Sequence, residues 1–386
     1  MITFGTVALI VAVGLLGPLL ALLPMRVAPP IVIGEIAAGI LVGRTGTGTI
    51  DPAQPTVAFL AAIGFALLMF IVGTNLPVRD RRLRSAVPRG ALASVLTLVF
   101  AAGIGPLIAV ASGFHRPAVI AVVVASTSAA VVLPICQGLD ATSSLLTTIA
   151  WVSILDVVTV LAVPLVLATG TVAKAIVGSI LVIVIAGFIG LFARRLAPLP
   201  AVNKLRDRSH EQNWALDLRL SLLALFTLAW IAQRFNTSVL IAGFAAGIVV
   251  AVLGEPRRVT QQLIGLGEGF FVPLFFVVLG AALDLRSLVH SGHDLLLFGL
   301  LAVAMGAVPI AVALIVRLPL EDGLFAGAAM GVPAAVASVG LANQELRPGQ
   351  ATAIIGAAAV SLIYAAVAGV RIGAKPRVRR RRRSTT

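Results

Sequence analysis

One carboxylate sits at the centre of a long apolar run: Asp156, in WVSILDVVTVLAVPL (151–165). On a helix, Ser153 and Thr159 stand three residues to either side of it, so all three share a face. A carboxylate flanked by two hydroxyls suits a hard cation such as Na⁺ or K⁺. The same carboxyl can hold a proton instead. A group that holds one or the other, never both, couples the two. An ionised Asp at the bilayer centre costs about 2.5–3.5 kcal/mol, which is tolerated mainly for function. The bland reading is a structural Asp that caps a backbone or pairs with an Arg. Glu35, in IGEIAAGILVG (33–43), is a second intramembrane acid, placed to line an entrance or to bond a neighbouring helix. Glu268 lies near the start of its own run and is expected at the interface.

Further neutral oxygens stand at mid-span in AVVVASTSAAVVLPI (121–135), as Ser126, Thr127 and Ser128. A second mid-span interruption is expected at Gly331-Val332-Pro333. Proline there removes a backbone donor, and hydroxyls can re-satisfy freed backbone groups. Paired broken helices near the midplane are where secondary transporters place their substrate. Close packing through small residues is the alternative.

Composition requires these groups to be positioned by membrane helices. Of 386 residues, 59% are hydrophobic and 11% charged, and the mean hydropathy is +1.09. A soluble domain carries about 25% charged residues, so a water-soluble enzyme is excluded. The single cysteine, Cys136, allows neither an internal disulfide nor a cysteine metal cluster. The chain has no phosphate loop for a nucleotide-driven pump, and no cofactor is expected. An intramembrane protease would need facing acids or clustered histidines, which the sequence lacks. The first apolar run has no basic n-region and reads as a retained span.

The apolar runs predict an all-α polytopic membrane protein of thirteen spans, near 2–23, 30–43, 56–76, 86–112, 117–137, 143–168, 174–193, 216–233, 238–254, 263–283, 294–316, 322–342 and 350–370. The spans are helical because lone strands in lipid leave their backbone unpaired. With the Arg-rich tail inside, 23 of the 29 basic residues fall on the cytoplasmic side and 6 outside. This follows the positive-inside rule and puts the N-terminus outside, the C-terminus in the cytoplasm, and the chain in the plasma (inner) membrane. The formal charge of +14 is therefore an orientation signal. The tail (372–386) is expected to be disordered and to touch anionic lipid; no nucleic-acid partner is expected.

The segment 33–43 matches IAGFAAGIVVA (241–251) at an offset of 208, and FALLMFIVGTNL (65–76) matches FVPLFFVVLGAAL (271–283), with Gly73 against Gly280 at an offset of 207. Seven spans separate the copies, so the second is inverted across the membrane, as in secondary transporters. The expected organisation is a first repeat at 1–170, a linker span and basic loop at 171–209, a second inverted repeat at 210–371, and the tail.

These stretches, with PIVIGEIAAGILVG (30–43), LLMFIVGTNL (67–76), VASTSAAVVLPI (124–135), the Asp156 span and PLFFVVLGAALDL (273–285), resemble the monovalent cation:proton antiporter-2 family, the Kef-type sodium/hydrogen exchanger domain. The resemblance covers nearly the whole chain. It implies a homodimer, a helix panel beside a core with two crossed, broken helices, and elevator-like exchange of Na⁺ or K⁺ for H⁺ through Asp156. Three positions depart from the family. Leu155 stands where a polar or acidic residue often precedes the central Asp, Asn75 where many members carry Glu, and the span 294–316 has no basic residue. They leave one central carboxylate, one-for-one exchange as the simplest scheme, and an alternative in which a transporter fold carries another solute or serves as a sensor or assembly partner.

Overall fold

The computed structural model describes residues 4–21, 31–74, 81–129, 131–132, 142–167, 172–196, 198–212, 214–235, 239–253 and 257–373. Among them there is no strand. The helices are α1 (Phe4–Gly14), α2 (Leu16–Ala21), α3 (Ile31–Val42), α4 (Pro55–Thr74), α5 (Val87–Ser112), α6 (Pro117–Ala125), α7 (Ser143–Leu167), α8 (Val172–Leu196), α9 (Pro200–Glu211), α10 (Leu216–Arg234), α11 (Val239–Leu253), α12 (Arg257–Leu266), α13 (Val272–Ala282), α14 (Leu285–His290), α15 (Gly292–Val316), α16 (Leu320–Ala326), α17 (Gly331–Ala342) and α18 (Pro348–Gly373). A π-helical turn, Gly267–Phe271, joins α12 to α13. Among the described residues, eight helical stretches are long and apolar enough to cross a membrane, and three further apolar helices are shorter. With the interrupted α6 and the more polar α10, every expected span coincides with helix. Cys136, Asn75 and residues 374–386 of the tail lie outside the described residues.

The helices sort into two groups. In the first, α3 and α4 pack on α13, α11 packs on α4, α8 and α10, and α1 packs on α3 and α13. In the second, α5 packs on α6, α7 and α15, α15 packs on α16, and α18 packs on α15, α16 and α17. Each group draws helices from both halves of the sequence.

Glycines set the contacts inside the first group. A Cβ on Gly39 would lie 2.1 Å from the Val277 carbonyl oxygen, and one on Gly280 would lie 2.3 Å from that of Ile36. The other crossing repeats the pattern: Gly247 faces the Phe70 carbonyl at 2.1 Å, and Gly73 faces that of Phe244 at 2.4 Å. These partners are the residues matched at offsets of 207 and 208, so α3 on α13 and α11 on α4 are the same contact made twice. Gly64 faces the carbonyl of Phe271, its own counterpart at an offset of 207, at 2.0 Å. Lipid is as apolar as leucine, so membrane helices gain most from such close backbone approach, which also admits Cα–H···O contacts. Helices as short as α3, with 12 residues, and α11, with 15, are held by it.

In the second group, among the described residues, two helices are interrupted. The helix begun by α6 ends at Ala125, runs extended at Ser126 (φ −67°, ψ 147°) and resumes at Ala129. The second interruption lies at Gly327–Met330, between α16 and α17. It precedes the expected Gly331-Val332-Pro333. Gly331 opens α17 and Pro333 sits in its first turn, where a missing N–H loses no bond.

Gly39→Ala and Gly247→Ala each force a backbone shift and should cost about 1–3 kcal/mol, the range for overpacked cores. Gly299→Ala on α15, with open space around its Cα, should be neutral or slightly stabilising. Thermal unfolding of the purified variants in detergent checks both.

Candidate ion-binding site at the helix break

The extended Ser126–Ser128 segment starts a new helix inside an apolar bundle, so the first N–H groups of that helix have no carbonyl one turn back. Asp156 supplies an acceptor. Its Oδ2 accepts from the N–H of Ala129 at 3.0 Å. The residue is 2% exposed, and among the described residues no cation pairs with it. A carboxylate at a helix N-terminus is favoured by the helix dipole as well as by the hydrogen bond.

The same turn is tied to the break a second time. Thr127 Oγ1 donates to the carbonyl of Val152 at 3.0 Å. From the opposite side, Ser94 Oγ reaches the carbonyl of Trp151 at 3.3 Å, and Trp151 Nε1 donates to Thr97 Oγ1 at 3.1 Å. A Cβ on Gly90 would lie 2.9 Å from the Trp151 nitrogen. The turn bearing Asp156 is therefore clamped between α5 and the broken helix.

The expected oxygens divide by what their hydroxyls already do. Thr159 Oγ1 donates to the Leu155 carbonyl at 2.7 Å, and Ser126 Oγ to that of Val123 at 2.6 Å, so both are spent on their own helices. Ser128 is buried, and its carbonyl accepts from Val131 and Val132. Ser153 Oγ is buried with no hydrogen-bond partner. Its hydroxyl is free to turn toward a ligand. Glu35 is 3% exposed and lies against Gly17, whose Cβ would meet its Cγ at 2.9 Å. It belongs to the first helix group, apart from Asp156. Glu268 is exposed, as its place near a helix end implies.

Both halves of the second broken helix, α16 and α17, pack on α7, and α17 also packs on α6. Its break is satisfied by a residue that sequence reasoning missed. Ser361 Oγ, on α18, accepts from the Ala329 N–H at 3.2 Å, with the Ala358 carbonyl at 2.7 Å and that of Ala329 at 3.4 Å as acceptors for its proton. One break is thus held by a carboxylate and the other by a hydroxyl.

A cavity of about 1330 Å³ opens between the two helix groups. Phe65, Phe275 and Leu279 line one wall, Val163, Pro164 and Leu167 of α7 the other, and Arg44, Glu345 and Arg347 stand at its mouth. Phe65 and Phe275 stack at 5.1 Å. Val163 is seven residues from Asp156 on the same helical face, about 10 Å along the axis. Arg116 pairs with Glu345, and Arg347 with Asp294 at 3.6 Å, so the connectors around that mouth are cross-linked.

Comparison with known proteins agrees with this architecture. The sequence profile of the sodium/hydrogen exchanger family, transmembrane region, matches residues 7–372. The chain belongs to that family. The narrower Kef-type placement expected above is slightly off, because the match is to the exchanger family as a whole. The Na(+)/H(+) antiporter of Enterococcus hirae is 26% identical over 72% of this chain and 73% of its own length. YjbQ of Bacillus subtilis, an Na(+)/H(+) antiporter by name, is 25% identical over 78% of this chain, which spans 51% of YjbQ. In fold, the chain is similar to the sodium proton antiporter MjNhaP1 from Methanocaldococcus jannaschii, with a TM-score of 0.62 at 16% identity, covering 96% of this chain and 97% of that one.

Thr127→Val removes one of the two ties between the break and α7 while keeping the side-chain shape. It should cost about 0.5–1.5 kcal/mol, the usual net worth of one hydrogen bond, read as a lower unfolding temperature in detergent.

Proposed function

We propose that this exchanger-family protein exchanges Na⁺ for H⁺ by secondary active transport, with Asp156 binding cation and proton in turn. The observation that carries the reading is the carboxylate of Asp156. It is buried in the membrane interior with no cationic partner among the described residues, and it is bonded through one oxygen to the first N–H of a broken helix. The names of the relatives supply Na⁺ as the first cation to test, with K⁺ as the comparison. Ser153 Oγ is the favoured neutral ligand because its hydroxyl is uncommitted. Ser126, Thr127 and Thr159 donate their hydroxyl protons to carbonyls and keep lone pairs to offer the cation, with Ser128 beside them.

The chemistry follows from competition. A protonated carboxyl offers the cation a weaker, neutral oxygen, so each ion displaces the other. The cavity between the helix groups supports access from one side, and the sparse packing between the groups supports a rigid-body shift that would open the other. With one central carboxylate, the simplest stoichiometry is one proton per cation. The reciprocal glycine contacts support the division into repeats at 1–170 and 210–371, joined by 171–209. The 23 to 6 split of basic residues supports a plasma-membrane protein with its C-terminus inside. A homodimer and lipid contact by the Arg-rich tail complete the reading.

Leu155 beside the carboxylate, and a second break held by the Ser361 hydroxyl, favour the second reading, a transporter fold that carries another solute or serves as a sensor or assembly partner. The test is uptake of Na⁺ into proteoliposomes under an imposed pH gradient. The wild-type chain should exchange, and Asp156→Asn should abolish exchange while folding normally. Equal rates for the two would overturn the reading. Ser153→Ala should raise the apparent KM for Na⁺ several-fold with little change in unfolding temperature, since its hydroxyl has no bond to lose. Because the proton and the cation share one carboxyl, the apparent KM for Na⁺ should rise as pH falls, and rate measurements across a pH series check the sign.

A further inference from the structure

We propose that the connector between the two repeats carries a binding surface for anionic phospholipid headgroups, built on α9 and the helix ends that flank it. The segment 194–219 holds six Arg and Lys against three acids. Arg194, Arg195, Lys204, Arg208 and Arg219 are exposed. Their depth is fixed by the fold. Arg194 and Arg195 occupy the last turn of the membrane-crossing α8, and Arg219 the first turn of α10, so these cations stand where a span leaves the hydrocarbon and the headgroups begin.

The helix between them is shaped for the same layer. Lys204 and Arg208 lie one turn apart on α9 and project on one face. Beside them Leu199, Leu205 and Trp214 are 44%, 47% and 42% exposed. Trp214 is held there by the backbone. Its N–H donates to the Ser209 carbonyl at 3.0 Å, Ser209 Oγ accepts from the Leu216 N–H at 3.1 Å, and Ala215 takes the left-handed conformation, φ 51°. A rule that only orients the chain requires cations and nothing else. Cations interleaved with exposed leucine and a fixed tryptophan match an interface helix, whose apolar side dips below the headgroups while its cations meet phosphate. An acidic soluble protein would meet the cations but leave the leucines and the tryptophan in water.

The test uses the purified full chain in neutral detergent, with phosphatidylglycerol or phosphatidylcholine added, read by thermal unfolding and by lipid retained in native mass spectrometry. Phosphatidylglycerol should raise the unfolding temperature and remain bound, and phosphatidylcholine should do neither. Arg194→Gln, Arg195→Gln, Lys204→Gln, Arg208→Gln and Arg219→Gln combined should lose the shift. The pair Lys204→Gln and Arg208→Gln, which touches no span, should weaken retention about fivefold per cation removed. Exchanging each Arg for Lys should keep the shift, and so should removal of residues 374–386. A shift that survives the five glutamines, that phosphatidylcholine matches, or that vanishes with the tail would overturn the proposal. If the five glutamines prevent folding, the α9 pair decides alone: unchanged retention overturns the proposal and weakened retention supports it.

Discussion

A helix that stops and restarts inside a membrane leaves N–H groups that neither water nor lipid can satisfy. In this chain the restart is at Ala129, and its N–H is taken by the carboxylate of Asp156. Much else follows from that bond. It fixes the height of the break against α7 and holds an acid deep in the bundle. It also requires the surrounding helices to hold the turn that carries it. The clamp formed by Thr127, Ser94, Trp151 and Thr97 meets that requirement with neutral hydrogen bonds, and among the described residues no cation pairs with the acid.

The rest of the bundle is divided in a way that suits a moving site. The first helix group is knit by glycines at backbone contact, repeated at two related crossings. Such contacts have no rotamers to rearrange and make a stiff scaffold. The second group carries both breaks and the carboxylate. Between the groups lies open volume walled by Phe65, Phe275 and the outer turns of α7. A stiff scaffold, a separately packed carrier and a cavity between them are the parts that alternating access requires. The two breaks are treated unlike, with a carboxylate bonded at one and the Ser361 hydroxyl at the other.

Asp156 was legible in the sequence because a lone acid in an apolar run has few structural excuses, and Ser126–Ser128 because three hydroxyls at mid-span are costly without a purpose. Periodicity placed Ser153 and Thr159 on the acid's face. It could not tell that Thr159 turns back to the carbonyl one turn earlier, a bond that hydroxyls on helices commonly make, while Ser153 does not. The second break was misplaced by a few residues because Pro333 is the conspicuous breaker, whereas Gly327-Ala328-Ala329-Met330 looks like ordinary small-residue helix. Ser361 was invisible for the same reason: a serine in an alanine-rich span reads as packing until its partner is seen. The glycine matches at offsets of 207 and 208 were visible as sequence, but only the structure reveals that each glycine faces the counterpart of the residue its own counterpart faces.

The central claim is that one carboxyl alternates between proton and cation. The most direct measurement is Na⁺ binding to the purified protein by calorimetry in buffers of different ionisation enthalpy, which counts the protons released per cation bound. At a pH acid enough to protonate the carboxyl before Na⁺ binds, the account predicts about one proton released for each Na⁺ by the wild-type chain, and neither binding nor release by Asp156→Asn. Na⁺ binding with no proton release, or release that persists in the variant, would contradict it.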